Sequence, residues 1–289
     1  MHLKIAGETK SSWEKRYTLG RLVYPTLGHM PIAEIRRSHV HALLDRIVAG
    51  ELSRDNKPSP IMANRVQAAI SVVCSWYADR DDDFINPLAG MRRKAKEAAR
   101  ERTLSDDELR VVWKAAEANP HPFGNFVRFL LLTACRRTEA SELPWSELNG
   151  DWLLPADRNK AGRELLRPLS EAAQRIVASQ PRVGDYVFTT DGGRPMTGYS
   201  HYKRAFDRLT GTSGWTLHDL RRTARSLMAR AGVPSEHAEQ CLGHVIGGVK
   251  GTYNRHDYHS EKLRAYEKLA SLIETIVNRS RTSCRCGGD

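Results

Sequence analysis

The sequence lacks the long apolar runs that a membrane protein needs. No stretch approaches the about 18 consecutive apolar residues of a spanning helix, and the N-terminal residues lack the apolar core of a signal peptide. Cysteine is scarce and odd in number. The five cysteines are Cys74, Cys135, Cys241, Cys284 and Cys286. Because most of them lie in apolar helical stretches, they are typical of reduced thiols rather than disulfides. We therefore expect a cytoplasmic protein.

The chain is rich in charge, and the two signs are unbalanced. Among 289 residues, 45 Lys and Arg stand against 34 Asp and Glu, which gives a formal net charge of +11. This excess favours a polyanionic partner, because each phosphate that a protein neutralises releases condensed counterions. Hydrophobic residues make up 40% of the chain, as in globular proteins with ordinary cores. The length suggests two domains.

Residues 1–90 are predicted to form an all-helical domain. Ser38 is the expected cap of a helix whose apolar residues recur at helical spacing over 40–47, and Gly50 ends it. A second apolar stripe runs over 61–77, also at helical spacing, and is typical of a helix core.

Residues 91–103 are predicted to link this domain to the next. Over 92–102 there are six basic and two acidic residues, and no apolar stripe. Such a segment is ordinarily a solvated linker, but between two DNA-binding domains it can also follow a phosphate backbone. The candidate DNA contacts are Arg92, Arg93, Lys94 and Lys96.

Residues 104–278 are predicted to form a second domain, and 279–289 a disordered tail. Ser105 and Glu108 match a capping box at a helix start. Two short apolar runs around the Lys-Ala-Gly turn at 160–162 predict a β-hairpin, to which the run "YVFTT" can add a third strand. Further helices are predicted over 199–209, 217–230, 235–242 and 260–277. We therefore expect a mainly α protein with a small antiparallel β-sheet.

Four short segments of the second domain concentrate polar groups. Arg136 follows an apolar helix, and Glu139 lies one turn later; an arginine fork suits two phosphate oxygens, and a carboxylate can hold that fork in place. Lys160 lies in the hairpin turn. His218 and Arg221 share one face of a helix's first turn, where the N-terminus favours a bound anion.

The fourth segment carries His244 and, nine residues later, Tyr253. Tyr253 lies in "GGVKGTYNRH", a glycine-rich polar stretch that is unlike the apolar repeat around a core tyrosine. Each of the four segments has an ordinary explanation when taken alone: a surface ion pair, a solvated lysine, a capping histidine or a surface aromatic residue. Their order along the chain is more informative than any one of them.

In that order the segments resemble the tyrosine recombinase family, also called phage integrases. The family's Thr-Gly-x-Arg-x-x-Glu motif corresponds to 133–139, where Ala134 stands in place of the usual glycine. Its His-x-x-Arg motif corresponds to 218–221 and its Leu-Gly-His motif to 242–244. The hairpin lysine and the final tyrosine complete six matching positions, which together are highly specific.

The resemblance implies a helical core-binding domain followed by an α+β catalytic domain that recombines DNA at specific sites. The implied nucleophile is Tyr253, which forms a covalent 3′-phosphotyrosine, and Lys160 is the implied general acid for the 5′-hydroxyl. Arg136 and Arg221 are expected to stabilise the developing charge on phosphorus. The remaining implied residues are His218 and His244, which bond phosphate oxygens and assist proton transfer, and Glu139, which orients the cluster.

The resemblance also implies partners and alternatives. No metal or nucleotide cofactor is implied. The expected partners are double-stranded DNA attachment sites, sister subunits in a homotetramer held through the helix at 260–277, and accessory directionality and DNA-bending proteins; no membrane is expected. The alternatives are a topoisomerase-like nicking-closing enzyme and a catalytically silent DNA-binding protein. Tyr258 is a rival nucleophile.

Overall fold

The chain divides into two compact units, Met1–Arg100 and Glu101–Asp289. The computed structural model describes residues 15–244 and 258–279. Within those ranges, no helix combines the length and apolar character that crossing a membrane requires. Tyr253, the predicted nucleophile, lies outside the described residues.

The first unit is helical, as predicted. Short helices at Leu19–Val23 and Tyr24–Leu27 precede α1 (Arg37–Ala49) and α2 (Pro60–Ala78). α1 ends at Gly50, whose φ of 88° lies in the left-handed region that glycine adopts without a Cβ clash. The apolar faces of both helices are buried in one core.

The start of α1 differs from the prediction. Arg36 is the N-cap residue, and its backbone N–H donates to His39 Nδ1 at 3.3 Å. Ser38 therefore lies within the first turn, and the prediction that Ser38 caps this helix was wrong. His39, at the third position of the helix, accepts from the N-cap backbone N–H, as the N3 side chain of a capping box does.

The first part of the predicted linker is fastened to α2. Asn64, which is 5% exposed, donates to Ala95 O at 2.8 Å and to Glu97 Oε1 at 3.0 Å. Its Oδ1 accepts from the backbone N–H of Lys94 at 2.8 Å. One buried side chain thus binds the backbone of Lys94 and Ala95 and the side chain of Glu97. These residues pack as part of the first unit.

The second unit is mainly helical with a small sheet. Its helices are α3 (Asp106–Ala118), α4 (Asn125–Thr133), α5 (Arg137–Ser141), α6 (Glu171–Ala178), α7 (Tyr199–Thr210), α8 (Leu217–Arg230), α9 (Ser235–Leu242) and α10 (His259–Asn278). The strands β1 (Leu148–Asn149), β2 (Asp151–Leu154) and β3 (Leu165–Arg167) form an antiparallel sheet in the order β1-β2-β3. The predicted fold class, mainly α with a small antiparallel sheet, is confirmed.

The predicted hairpin is present as β2 and β3, but the predicted third strand was wrong. Tyr186 makes only an isolated bridge to Pro144. Farther along this run, Thr189 Oγ1 accepts from the backbone N–H of Gly192 at 2.9 Å and donates to Arg194 O at 2.7 Å. These local turn bonds take the place of a ladder, and β1 completes the sheet.

The predicted helix boundaries of the second unit agree with the structure to within about two residues. The capping box at α3 is present: Ser105 N–H donates to Glu108 Oε2 at 2.9 Å, and Glu108 N–H donates to Ser105 Oγ at 3.2 Å. Thr216 is the N-cap of α8, as predicted.

The last helix packs on its own unit. Tyr266, Leu269 and Ile273 of α10 are fully buried and belong to the same core as α3, α8 and α9. The Tyr266 hydroxyl donates to Cys241 O at 2.9 Å. The expectation that this apolar stripe docks on a neighbouring subunit was therefore wrong, because these side chains are buried in the core of their own unit.

Candidate active site

The backbone between α4 and α5 places Arg136 at a helix start. Ala134 follows α4 with φ of 48°, in the left-handed region. The alanine that replaces the family's usual glycine therefore keeps the conformation that glycine favours, at a cost of about 1–2 kcal/mol. The turn makes Arg136 the N-cap residue of α5.

Arg136 and Glu139 form the pair that the sequence predicted. Arg136 Nη1 donates to Glu139 Oε1 at 2.5 Å, and the Arg136 backbone N–H donates to Glu139 Oε2 at 2.9 Å. Glu139 is 2% exposed. Burial alone would raise the pKa of Glu139, but the charges of Arg167 and Arg136 outweigh burial and lower it. Glu139 is therefore an anion that holds the Arg136 side chain in one orientation.

Arg167 is a buried member of this cluster that the sequence analysis missed. Its Nη2 lies 3.2 Å from Glu139 Oε2, and its guanidinium carbon lies 4.5 Å from the centroid of the Trp152 ring. Burial opposes its charged form, but Tyr266 and Glu139 outweigh burial and raise the pKa of Arg167. The available signal was an arginine at an inward-facing position of the apolar strand "LLRPL".

Arg221 joins three of the predicted motifs. Its Nη1 donates to Ala134 O at 2.6 Å, and its Nη2 donates to Leu242 O at 2.8 Å and to His244 Nε2 at 3.1 Å. Burial, followed by the charges of Arg167 and Arg136, lowers the pKa of Arg221 to about 10. The guanidinium remains charged at neutral pH, and its position is fixed by backbone carbonyls.

The His244 ring is held between Glu239 and Arg221. His244 Nδ1 lies 2.6 Å from Glu239 Oε2. Because a guanidinium can only donate, Nε2 of His244 accepts from Arg221, and the ring proton on Nδ1 faces Glu239. Burial would raise the pKa of Glu239, but hydrogen bonds from Arg225 and His244 outweigh burial and lower it. Glu239 is a second residue that the sequence analysis missed.

His218 lies on the first turn of α8, beside a cleft. Thr216 N–H and Oγ1 donate to Asp219 Oδ2 at 2.8 and 2.9 Å, which fixes this helix start. Desolvation, followed by the charges of Arg222 and Arg221, lowers the pKa of His218. His218 is therefore neutral at neutral pH.

The cleft beside His218 has a volume of about 550 Å³, and Arg136 lines it as well. Two further cations border it, Arg137 and Lys203, and Lys203 is paired with Asp207. Lys203 Nζ lies 3.5 Å from the centroid of the Trp215 ring, and the Arg137 guanidinium lies 4.9 Å from that of Tyr199. The cleft combines positive charge with aromatic side chains, a combination that suits a nucleic acid.

The structure brings four of the six predicted catalytic residues into one described cluster. Arg136, His218, Arg221 and His244 are linked by the contacts and charge interactions above, with Glu139 beneath them. Lys160 is exposed in the turn between β2 and β3. Tyr253 lies outside the described residues. The chemical roles of all six remain predictions.

The rival nucleophile Tyr258 has partners of its own. Its hydroxyl donates to Glu236 Oε1 at 2.9 Å, and its ring lies edge-on to His237. His259 Nε2 lies 2.7 Å from Asp151 Oδ2. Among residues 15–244 and 258–279, no group of three or more His, Cys, Asp or Glu could hold a metal ion.

The four predicted DNA contacts of the linker differ in environment. Arg92, Arg93 and Lys96 are exposed. Lys94 Nζ instead lies 2.5 Å from Asp45 Oδ1 and 3.0 Å from His41 Nδ1. The charge of Lys94 is therefore compensated within the first unit, so Lys94 is a weaker candidate for a phosphate contact than the other three.

Comparison with known proteins identifies the family. Residues 102–260 match the phage integrase family. The chain is 27% identical over 286 residues to the prophage integrase IntZ of Escherichia coli K12, covering 95% of this chain and 69% of IntZ. It is 30% identical over 160 residues to the prophage integrase IntA of the same strain, covering 52% of this chain and 38% of IntA.

Solved structures agree in fold. A λ integrase (75–356) dimer bound to a COC′ core site has a TM-score of 0.67 at 18% identity, covering 84% of this chain and 92% of that one. The Tn1549 transposon integrase (82–397) in complex with circular intermediate DNA has a TM-score of 0.59 at 19% identity, covering 91% and 95%. The topoisomerase-like and silent alternatives are not favoured by these relatives. Since the family match spans more than half of the chain, the chain belongs to the phage integrase family of tyrosine-type site-specific recombinases.

Proposed function

We propose that this recombinase acts through Arg136, Lys160, His218, Arg221, His244 and Tyr253, with Glu139 in support. The observation that carries the proposal is that two other motifs contact the guanidinium of Arg221, the arginine of the His-x-x-Arg motif. Arg221 contacts Ala134, Leu242 and His244, which come from the first arginine motif and the Leu-Gly-His motif. Chain segments far apart in sequence thus meet at one anion-binding point.

The two arginines form a phosphate clamp in this mechanism. Arg221 is fixed by carbonyl oxygens and Arg136 by Glu139, so neither has to reorganise when charge develops on phosphorus. Donors that are already oriented in a partly buried site stabilise a transition state more than donors in water do. The described partners of Arg221 use only part of its donor fork, which leaves N–H groups for non-bridging oxygens.

The nucleophile and the acid complete the exchange. The phenol of Tyr253 has an ordinary pKa of about 10 and needs help to lose its proton. His218, whose pKa is lowered, is neutral and able to accept that proton. As the Tyr253 oxygen bonds to phosphorus, the bond to the 5′-oxygen breaks and Lys160 donates a proton to that oxygen. The reverse sequence rejoins the strands, because the phosphotyrosine preserves the bond energy.

The DNA partner, the assembly and the domain roles are part of the same proposal. The similar λ integrase structures are a dimer on a core site and a tetramer bound to a Holliday junction. We propose that this chain binds double-stranded attachment sites through both units and the exposed linker cations, and that it forms a homotetramer whose contacts lie outside the buried stripe of α10. Accessory directionality and DNA-bending proteins, and action in the cytoplasm, belong to this proposal as well.

A covalent-adduct assay tests the residue assignments. The protein is incubated with a nicked suicide substrate carrying its core site, and a protein–DNA adduct that survives denaturant is measured. We expect an adduct for the wild type and for the control Tyr258→Phe, and none for Tyr253→Phe. Arg136→Ala and Arg221→Ala should each slow adduct formation by at least roughly 10²–10³-fold, as for the loss of one oriented donor. An unchanged adduct in Tyr253→Phe would overturn the assignment of the nucleophile.

DNA affinity gives a second test of the basic surface. A plot of the logarithm of the DNA-binding constant against the logarithm of salt concentration should be a falling line. Each phosphate that the protein neutralises should contribute about −0.9 to its slope. Arg93→Ala should reduce that slope by about one contact, whereas Lys94→Ala should change it less because Asp45 already pairs with Lys94. Binding that does not depend on salt would contradict the phosphate-contact proposal.

A further inference from the structure

Asn159 is a buried amide in an otherwise exposed turn. It directly precedes Lys160 and is 6% exposed, whereas Asp157, Lys160 and Gly162 are exposed. A buried side-chain amide is costly unless its donor and acceptor groups are paired. The partners of Asn159 therefore indicate what this turn requires.

The amide of Asn159, which precedes Lys160, bonds to the backbone that follows Lys160. Its Nδ2 donates to Arg163 O at 2.6 Å, and its Oδ1 accepts from the backbone N–H of Ala161 at 3.1 Å. The turn lies between β2 and β3, so these bonds fix the local path of the backbone that carries Lys160. An aliphatic side chain of similar size could make neither bond.

The same side chain reaches the phosphate clamp. Asn159 Oδ1 also accepts from Arg136 Nη1 at 3.4 Å, a longer and weaker contact than the other two. The neighbouring Arg158 adds a second tie, because its Nη2 donates to Glu139 O at 2.9 Å. Two adjacent residues thus connect the lysine turn to the segment that holds Arg136.

We infer that Asn159 is a positioning residue that sets where Lys160 stands relative to a phosphate held by Arg136. The inference rests on the proposed function, in which Lys160 donates a proton to the departing 5′-oxygen. Proton transfer requires the N–H within hydrogen-bond reach of that oxygen. Loosening the turn therefore impairs leaving-group protonation, while Arg136 keeps its shorter bond to Glu139 and Arg221 keeps its carbonyl partners.

A change of leaving group separates these two effects. In a substrate with sulfur in place of the bridging 5′-oxygen, the departing group is a thiolate, whose conjugate acid has a pKa of about 8.5 in a simple thiol. It leaves without a general acid. Cleavage rates of wild type, Asn159→Ala, Lys160→Ala and Arg136→Ala are measured on the oxygen and sulfur substrates, with thermal unfolding as a check of folding.

On the oxygen substrate we expect Lys160→Ala to be slowed by roughly 10²–10⁴-fold, the usual contribution of a general acid. Asn159→Ala should be slowed by roughly 10²-fold, as for a misplacement of about 1 Å. On the sulfur substrate both variants should approach the wild-type rate, whereas Arg136→Ala should stay slow. If Asn159→Ala does not fold, Asn159→Asp gives the same comparison, since it keeps the acceptor and loses the donor to Arg163 O.

The possible results are distinct. A normal rate on oxygen for the Asn159 variant, or slow cleavage by it on both substrates, would overturn the positioning inference. If sulfur fails to rescue Lys160→Ala, the proposed acid role of Lys160 is wrong, independently of Asn159. Rescue of Lys160→Ala without rescue of the Asn159 variant would place Asn159 in the clamp rather than in lysine positioning.

Discussion

Replacing Glu139 by glutamine removes the carboxylate that the buried Arg167 and the partly buried Arg136 share. Glu139 bonds the side chain and the backbone of Arg136 and lies 3.2 Å from Arg167. Arg167 is 0% exposed, so in Glu139→Gln its charge stays buried without the carboxylate. Removing one partner of a buried ion pair costs about 3–5 kcal/mol. Since glutamine keeps the size and one acceptor oxygen, we expect the lower end, about 3 kcal/mol.

The free energy of unfolding, measured in urea at neutral pH, gives the first test. A loss of about 3 kcal/mol corresponds to a fall in Tm of about 6–12 °C for a domain of this size. The matched control is Glu171→Gln. Glu171 pairs with Arg175 on the surface, where their side chains are 77% and 66% exposed, and such pairs contribute little. A loss in Glu139→Gln as small as in the control would refute the reasoning.

The pH dependence tests whether charge is the cause. The pKa of Glu139 is lowered from 4.5 in the folded protein. A carboxyl with a depressed folded pKa contributes stability that is present above its unfolded pKa and is lost as pH falls through the folded value. The difference between wild type and Glu139→Gln should therefore shrink as pH falls below about 4.5. A difference that stays constant between neutral pH and pH 3 would mean that packing, not charge, is lost.

Two further predictions concern the histidine motifs. Gly243 has a φ of 65°, and a Cβ there would lie 2.6 Å from Leu165 Cδ2, whereas Gly232 has a φ of 70° and open space around it. Both alanine variants should lose about 1–2 kcal/mol of unfolding free energy because the backbone is left-handed at both positions. Gly243→Ala should lose more than Gly232→Ala, because its Cβ meets Leu165. Equal losses in urea unfolding would contradict this role of the Leu165 contact. A phosphate bound near His218 should raise the lowered pKa of its ring. DNA affinity should therefore rise as pH falls, because protonation of His218 accompanies phosphate binding, and His218→Gln should flatten that rise. An unchanged pH profile in the variant would place His218 away from the phosphate.

Local sequence signals were sufficient for several elements whose interactions come from neighbours along the chain. The capping box of Ser105 and Glu108 satisfies backbone N–H groups three residues apart, so it is readable from spacing alone. The same holds for the hairpin turn and for the apolar stripe of α10. The run at 186–190 has the composition of a strand. Its backbone makes only an isolated β-bridge, to Pro144, and Thr189 bonds into a local turn instead, which composition does not reveal.

Most of the element types, the mainly helical fold and the order of the motif residues from Arg136 to Tyr253 depend on spacing along the chain, so sequence patterns were enough to predict them. The groups that set the electrostatics of the site are visible only in the folded protein. Arg167 and Asn159 act on Glu139 and Arg136 from other segments, and α10 closes the core of its own domain. Such contacts join distant parts of the chain at hydrogen-bond distance, and only the packing of the helices and sheet brings those parts together.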